Sequence, residues 1–261
     1  MSRGQLHAIT KGVPGNPAVV CIHGLLGSSR NLFRLVEAIA DQGFYVVAYD
    51  QRGHGHSFHA DDYHLETLAQ DALSIIEEKG LGQAHLIGHS LGARVALAAA
   101  ATAVPRKIKS LTMLDAGIRV NPTGRESVHS IIDPLPESFG SKLEAEQFLE
   151  RFQQSVKLFL LSNLRTRDSR LHWNFDLRGI RKALLPAMDH DQTQAWKNIS
   201  CPILVLRGEN SEYLSQEDVD QMQALRPDAR FVVVSKAGHW VHVDNFVETS
   251  QAVLQFLESV K

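Results

Sequence analysis

The chain has 261 residues, of which 44% are hydrophobic and 21% are charged, and its formal net charge is −2. This length can hold one large domain, or a core domain with an insertion. The charge balance has no basic surplus, which argues against a nucleic-acid or anionic-membrane partner and favours a small-molecule ligand. The oligomeric state stays open.

The N-terminal residues Met1-Ser2-Arg3-Gly4-Gln5-Leu6 lack the charged start and apolar run of a secretory signal. No stretch reaches the length needed to span a bilayer. We therefore expect a cytoplasmic protein. Cys21 and Cys201 form neither a disulfide framework nor a metal motif, so both are predicted to be buried core residues.

The first part of the chain alternates short β-branched runs with longer helical patterns, which is typical of a parallel sheet covered by helices. In chain order the patterns predict a strand over 18–22, a helix over 31–41, a strand over 45–49, a helix over 65–78, a strand over 84–87, a helix over 91–103 and a strand over 110–114.

The alternation stops between residues 118 and 197, where proline-rich sequence and amphipathic stretches such as 142–161 indicate a helical insertion without strands. It resumes with a strand over 203–206, a helix over 216–225, a strand over 231–234 and a helix over 246–260. The predicted fold is α/β, a doubly wound and mostly parallel sheet with a helical cap inserted after the sixth strand. The predicted units are 1–117 and 198–261 for the core and 118–197 for the cap, which should lie above the carboxyl ends of the strands.

The motif Gly88-His89-Ser90-Leu91-Gly92 lies where a strand pattern gives way to an alanine-rich helix pattern. A tight strand-to-helix turn leaves no room for side chains on its flanks, so the two glycines let the turn close and expose Ser90 Oγ above the sheet. The sequence therefore predicts a nucleophile elbow with Ser90 as the catalytic nucleophile.

A serine nucleophile needs a general base and a carboxylate that orients this base. His239 follows the last predicted strand and is the predicted base, and Gly238 before it favours it over the competitor His242. Asp115 ends the strand after the elbow helix and is the predicted acid. Glu212, or Glu209, is the alternative acid, in a later loop that has Ser211 where an aspartate would commonly stand.

Two backbone N–H groups must hold the oxyanion of a tetrahedral intermediate. The residue after the nucleophile, Leu91, should supply one, and Leu25 in the loop His23-Gly24-Leu25-Leu26-Gly27 should supply the other. The histidines at 54, 56, 59 and 64 and the run Asp189-His190-Asp191 match no metal-ligand spacing, so neither a metal nor a cofactor is expected.

Two further motifs are Asp50-Gln51-Arg52-Gly53-His54-Gly55-His56-Ser57 and Ala237-Gly238-His239-Trp240. Together with the motifs at 23–27 and 88–92, they resemble those of the α/β-hydrolases that carry a helical cap. The stretches 208–215 and 238–242 are similar to the small bacterial acyl-ester esterases related to the mammalian abhydrolase domain protein eleven. In those relatives, too, a serine occupies the usual aspartate position and the acid follows an earlier strand, which supports Asp115.

The resemblance implies a carboxylic-ester hydrolase that acts on small to medium acyl esters through an acyl-enzyme and needs no cofactor. Leu26, His89, Phe139, Trp173 and Trp240 are the predicted lining of an apolar substrate pocket. A lactonase, a thioesterase or a carbon–carbon bond hydrolase could use the same residues. A ligand receptor of the same fold with little or no turnover stays the alternative of another class.

Overall fold

A computed structural model describes residues 4–104 and 106–261. Residues 1–3, the start of the segment that lacks a secretory signal pattern, lie outside the described residues, as does residue 105. The described strands are β1 (Ala8–Lys11), β2 (Ala18–Ile22), β3 (Tyr45–Tyr49), β4 (Ala84–His89), β5 (Ile108–Leu114), β6 (Ser138–Phe139), β7 (Leu164–Arg167), β8 (Arg170–Trp173), β9 (Ile203–Gly208) and β10 (Arg230–Val234).

Helices connect these strands and cover them. They are α1 (Phe33–Ala40), α2 (Leu65–Glu78), α3 (Leu91–Thr102), α4 (Pro122–Ile132), α5 (Lys142–Leu149), α6 (Gln154–Ser162), α7 (Leu177–Gly179), α8 (Leu185–Ala187), α9 (Thr193–Asn198), α10 (Gln216–Leu225), α11 (Val241–Asp244) and α12 (Phe246–Ser259). A 3₁₀ turn, Ser29–Leu32, precedes α1, and a π-helical segment, Ile180–Leu184, joins α7 to α8.

Seven strands form the central sheet in the order β1-β3-β2-β4-β5-β9-β10. All neighbours pair in parallel except β1, which runs antiparallel to β3 at the edge. Along β2, Val20 and Ile22 pack into one core layer with α2 and α3, whereas Val19 and Cys21 pack into the other with α1 and α12. This period of two, with helices on both faces, confirms the predicted doubly wound fold.

The insertion follows the fifth strand, β5, so the prediction that it follows the sixth is wrong. It also holds a small antiparallel sheet, in the order β6-β8-β7, that the pattern did not predict. These strands have only two to four residues, and Thr166 is their one β-branched residue, so they give little strand signal in the sequence. The assignment of 118–197 as a separate cap stays a prediction.

Two smaller expectations also differ from the structure. The amphipathic stretch 142–161 forms two helices, α5 and α6, with a break between Leu149 and Gln154. Cys21 is buried in β2 as expected, but Cys201 is only partly buried because it lies beside the exposed Pro202 just before β9. Among the helices of residues 4–104 and 106–261, none is both long and apolar enough to cross a membrane.

Arg94 on α3 joins both ends of the insertion to the core. The residue is 3% exposed, and its guanidinium donates hydrogen bonds to the carbonyl of Gly117 at 3.1 Å, to that of Met188 at 3.0 Å and to that of His190. Burial lowers the pKa of Arg94 to about 10. Since Gly117 precedes the insertion and Met188 and His190 lie near its end, this one side chain fixes the insertion relative to the helix that begins beside Ser90.

Candidate active site

Ser90 occupies a strained turn between the end of β4 and the start of α3, with φ 54° and ψ −119°. A Cβ on Gly88 would lie 2.2 Å from the Gly92 carbonyl oxygen, and a Cβ on Gly92 would lie 2.2 Å from the Ile22 carbonyl oxygen. The Ser90 N–H donates to the Leu114 carbonyl at 3.0 Å. The local geometry is therefore the sharp strand–turn–helix that the glycine spacing predicts.

Asp115 and His239 meet at the carboxyl edge of the sheet. Asp115 directly follows β5, is fully buried and has a positive φ of 52°, which turns its side chain toward the neighbouring loops. His239 Nδ1 lies 2.8 Å from Asp115 Oδ2, and its side chain is 11% exposed. A carboxylate at Nδ1 leaves the proton on that nitrogen and turns Nε2 into the available base.

Ser211 stands beside Asp115 in the loop after β9. Its hydroxyl donates to Asp115 Oδ2 at 2.6 Å, while the Gly208 N–H donates to Asp115 Oδ1 at 2.9 Å. Ser211 Oγ in turn accepts the N–H groups of Tyr213 and Leu214 at 3.1 and 3.2 Å. The buried carboxylate thus has a hydrogen-bond donor on each oxygen, which fixes its orientation.

The alternative acids lie elsewhere. Glu212 is exposed and its Oε2 accepts a hydrogen bond from Ser127 Oγ at 3.3 Å. Glu209 is exposed as well and accepts the Lys236 N–H at 2.8 Å. Among the hydrogen bonds of the described residues, neither carboxylate contacts His239, so the geometry favours Asp115 as the partner of the base.

Ser90 and His239 line the same cavity. In the described part of the chain no hydrogen bond joins Ser90 Oγ to the imidazole, and such catalytic contacts often tighten only when the substrate is bound. The Tyr213 ring stacks on the His239 ring with centroids 3.8 Å apart and planes 23° from parallel. This stacking and the Asp115 contact together restrict the orientation of the imidazole.

The loop after β2 passes close to the elbow. A Cβ on Gly24 would lie only 2.8 Å from His89 Nδ1 and 3.3 Å from Ser90 Cβ. His23 holds the loop, since its Nδ1 donates to the Gly24 carbonyl at 2.8 Å and its Nε2 accepts the Gln51 N–H at 3.0 Å.

The two predicted oxyanion donors lie on either side of this close approach, Leu25 in the loop and Leu91 at the start of α3. Within residues 4–104 and 106–261, neither of these backbone N–H groups donates to a protein acceptor, whereas the next N–H in the loop, that of Leu26, donates to His54 Nε2 at 3.3 Å. The Leu25 and Leu91 N–H groups are therefore available to a ligand oxygen.

The cavity lies between the core and the insertion. Of the predicted pocket residues, Leu26, His89 and Trp240 line it. The wall opposite the core is apolar and comes from α4, α6 and the end of the insertion, through Val128, Ile131, Ile132, Val156, Phe159 and Met188. Of these residues, sequence reasoning offered Phe159 as an apolar pocket candidate and missed the other five, although Val128, Ile131 and Ile132 repeat at the spacing of one helix face.

Phe139 and Trp173 do not line the cavity, so these two pocket predictions are wrong. Phe139 is 1% exposed and packs edge-on against Trp173, with ring centroids 5.4 Å apart. Trp173 also stacks on Phe175 at 5.2 Å and donates its indole N–H to the Pro136 carbonyl at 2.7 Å. Both residues belong to the interior of the insertion, because their rings pack on one another instead of on Ser90.

Buried histidines surround the site. His89 Nε2 donates to the His239 carbonyl at 2.9 Å, and burial, followed by the charges of His242 and His239, lowers the pKa of His89 well below its usual value. Burial also lowers the pKa of His242 to about 3, and lowers that of His23. These three imidazoles are neutral near pH 7.

Most of the chain matches a known protein family. The family of the α/β hydrolase fold matches residues 17–246, which is most of the sequence. The sheet order, the strained turn at Ser90 and the Asp115–His239 pair agree with that match. The chain belongs to the α/β-hydrolase fold family, and it is a serine hydrolase.

Several of its relatives are named as esterases or lipases. The chain is 30% identical over 255 residues to the sn-1-specific diacylglycerol lipase ABHD11 of Mus musculus, covering 92% of this chain and 81% of that protein. It is 26% identical over 245 residues to the esterase YbfF of Escherichia coli, covering 93% of each chain. Among solved structures it is similar to a marine microorganism esterase, with 29% identity, a TM-score of 0.85 and coverage of 97% of this chain and 100% of that one.

Proposed function

We propose that the protein is a carboxylic-ester hydrolase that acts on small to medium acyl esters through a Ser90-His239-Asp115 triad. The observation that carries this proposal is the 2.8 Å contact between His239 Nδ1 and the buried Asp115, on a cavity that His239 shares with Ser90. An imidazole oriented in this way can accept the serine proton at Nε2.

The reaction has two stages. His239 Nε2 accepts the Ser90 proton as Oγ attacks the ester carbonyl, and the Leu25 and Leu91 N–H groups hold the oxyanion that forms. The imidazolium then gives the proton to the departing alkoxide, which leaves an acyl-enzyme. In the second stage His239 accepts a proton from water, the hydroxide attacks the acyl carbonyl, and the proton passes to Ser90 as the carboxylic acid departs.

Asp115 supports both stages through its contact with His239 Nδ1. Its ionised carboxylate keeps the Nδ1 proton in place and stabilises the imidazolium. Hydrogen bonds from Ser211 and the Gly208 N–H hold this carboxylate still at 2.6 and 2.9 Å. The charge that Asp115 supplies is therefore already oriented before the substrate binds.

The apolar wall of the cavity favours an acyl or alcohol group of modest size. Val128, Ile131, Val156 and Phe159 would bury such a group against the core. The names of the relatives, a diacylglycerol lipase and two esterases, agree with an ester as the substrate class.

A panel of p-nitrophenyl esters of increasing acyl length, with the wild type and Ser90→Ala, tests the proposal. We expect the wild type to hydrolyse the shorter esters and Ser90→Ala to lose about 10³-fold or more in kcat/KM. Hydrolysis that survives in Ser90→Ala would overturn the mechanism.

Matched thioesters and lactones, assayed in parallel, test the alternatives within the same chemistry. A higher kcat/KM for either class than for the esters would reassign the substrate. If the folded wild type binds these compounds but turns none of them over, the receptor alternative replaces the enzyme reaction.

A further inference from the structure

His242 carries polar atoms that the triad does not use. It lies on α11, three residues after His239, and is 4% exposed. Its Nδ1 is buried without a hydrogen-bond partner, and no hydrogen bond of the described residues involves its ring. His242 lines the cavity that contains Ser90. Because an unpartnered buried imidazole is costly, a partner from within the cavity would stabilise it.

Asn31 carries a second set of unused donors on the same cavity. Its Oδ1 accepts the Ser28 N–H at 2.6 Å, which fixes the amide so that Nδ2 is the other end. In the described part of the chain Nδ2 has no partner, and Asn31 is among the residues that line the cavity. The Ser28 contact uses only Oδ1, so it holds the amide in place without using either N–H donor of Nδ2.

The charge of the cavity limits what these groups can bind. Of the described residues that line it, none is an aspartate, glutamate, lysine or arginine. The histidines His23, His89 and His242 are neutral near pH 7 because burial disfavours their charged form. An ionised ligand group would lose its hydration with no charge to compensate, whereas an uncharged oxygen could accept or donate hydrogen bonds.

We propose that Asn31 and His242 form a polar subsite that binds an uncharged oxygen of the substrate, a carbonyl or a hydroxyl, separate from the ester group itself. This inference rests on the proposed ester hydrolysis and narrows the substrate to uncharged esters that carry a further oxygen outside the ester group. The apolar wall from α4 and α6 holds the hydrocarbon part, and the polar subsite on the core side binds the extra oxygen.

Two matched pairs of esters test the subsite and distinguish its two possible sources of oxygen. The acyl pair is p-nitrophenyl 4-oxopentanoate against p-nitrophenyl pentanoate. The alcohol pair is 2-hydroxyethyl butanoate against propyl butanoate. Each kcat/KM is divided by the rate constant for alkaline hydrolysis of the same ester, and the corrected ratio within a pair is the readout. For the wild type we expect one pair to favour its oxygenated member by about tenfold, the value of one good hydrogen bond.

The variants separate a hydrogen bond from a structural effect. His242→Phe keeps a ring of similar size without polar atoms, and His242→Gln keeps the capacity to hydrogen-bond. Asn31→Asp keeps the Oδ1 contact with Ser28 and loses the Nδ2 donors. We expect the ratio to fall to within about twofold of unity in His242→Phe and Asn31→Asp, and to recover at least partly in His242→Gln. If His242→Phe does not fold, the Asn31→Asp ratio decides.

The outcomes distinguish this inference from the proposed function. Hydrolysis of all four esters with a corrected ratio near unity in the wild type, or with a ratio unchanged in the folded variants, overturns the subsite alone. Failure of the wild type to hydrolyse any ester, or hydrolysis that survives in Ser90→Ala, overturns the ester hydrolase and the subsite together.

Discussion

At the scale of single residues, Asp115 joins the proposed base to the loop after β9, because His239 Nδ1 and the Ser211 hydroxyl both contact its Oδ2, at 2.8 and 2.6 Å. Asp115 ends a strand pattern one strand from the elbow, and the later loop has Ser211 in place of an aspartate. The structure adds what the pattern could not give, which is that Ser211 donates directly to Asp115 at 2.6 Å. Ser211, which stands where an aspartate would commonly lie, is therefore a hydrogen-bond partner of the proposed acid.

The first prediction concerns that acid. Asp115→Asn removes the charge opposite His239 Nδ1 while keeping the shape, and we expect kcat on a p-nitrophenyl ester to fall by about 10³- to 10⁴-fold. Glu212→Gln is the matched control, because Glu212 is exposed and contacts Ser127 instead of His239. We expect its kcat to stay within about twofold of the wild type. If Asp115→Asn keeps most of the activity, Asp115 is not the triad acid.

The pocket could be predicted only in part, because some of its residues lie beside sequence motifs whereas the packing of others depends on residues far away in the chain. Leu26 and Trp240 lie next to catalytic motifs, so the chain itself carries them to the cavity. Phe139 and Trp173 lie in the insertion, where the sequence shows that they are apolar and does not show which apolar partner they choose. Their packing against one another depends on contacts across the insertion, which no local pattern encodes.

At the scale of elements, the core strands and helices follow from alternation and from glycine positions. The bounds of β2, β3 and α2 coincide with the predicted ranges, since β2 and β3 are short continuous apolar runs and α2 has an apolar face with a period of 3.6 residues. The edge strand β1 was not predicted, because it has four residues and is only half-buried. The strands β6, β7 and β8 of the insertion were not predicted for the same reason, because they too are short and mostly not fully buried.

The second prediction concerns the elbow as an element. Gly92→Ala would set a Cβ 2.2 Å from the Ile22 carbonyl oxygen, so β2 and α3 must move apart. We expect the free energy of unfolding to fall by about 2 kcal/mol in urea denaturation, because overpacking outweighs the roughly 1 kcal/mol that alanine gains in a helix. Esterase activity should fall with it.

Gly82→Ala serves as the control for that variant. Nothing lies within 4 Å of a Cβ at Gly82, and the residue is exposed. We expect its free energy of unfolding to change by no more than about 0.5 kcal/mol. An equally small change in Gly92→Ala would show that β2 and α3 tolerate a side chain between them, despite the 2.2 Å approach of its Cβ to the Ile22 carbonyl oxygen.

At the scale of the whole molecule, the buried histidines link stability to pH. Burial lowers the pKa of His54 and His242 to about 3 each, and burial followed by the nearby charge of Lys109 lowers that of His85 to about 4. The unfolded chain binds protons at these residues below about pH 6.5, whereas the folded chain does not until about pH 3 to 4. Their contribution therefore destabilises the fold progressively as the pH falls from about 6.5 toward 4.

The third prediction concerns this loss of stability at lower pH. The free energy of unfolding, measured in urea at pH 7, 6 and 5, should decrease as the pH is lowered. Each of the three histidines should contribute up to about 1.4 kcal/mol of this decrease per pH unit. His85→Gln can still hydrogen-bond to Ser110, which His85 contacts at 2.7 Å, and it does not titrate. We expect a shallower pH dependence in His85→Gln, and an identical slope would contradict the lowered pKa of His85.

In the proposed mechanism Ser90 carries the acyl group between the two stages, so the acyl-enzyme can be trapped and its position on the chain identified. The wild type is mixed with excess p-nitrophenyl butanoate, quenched in acid during turnover and digested, and the acylated peptide is sequenced by mass spectrometry. We expect one butanoyl group on Ser90 in the wild type and none in Ser90→Ala. A butanoyl group that appears at the rate of turnover on any other residue would rule out Ser90 as the nucleophile.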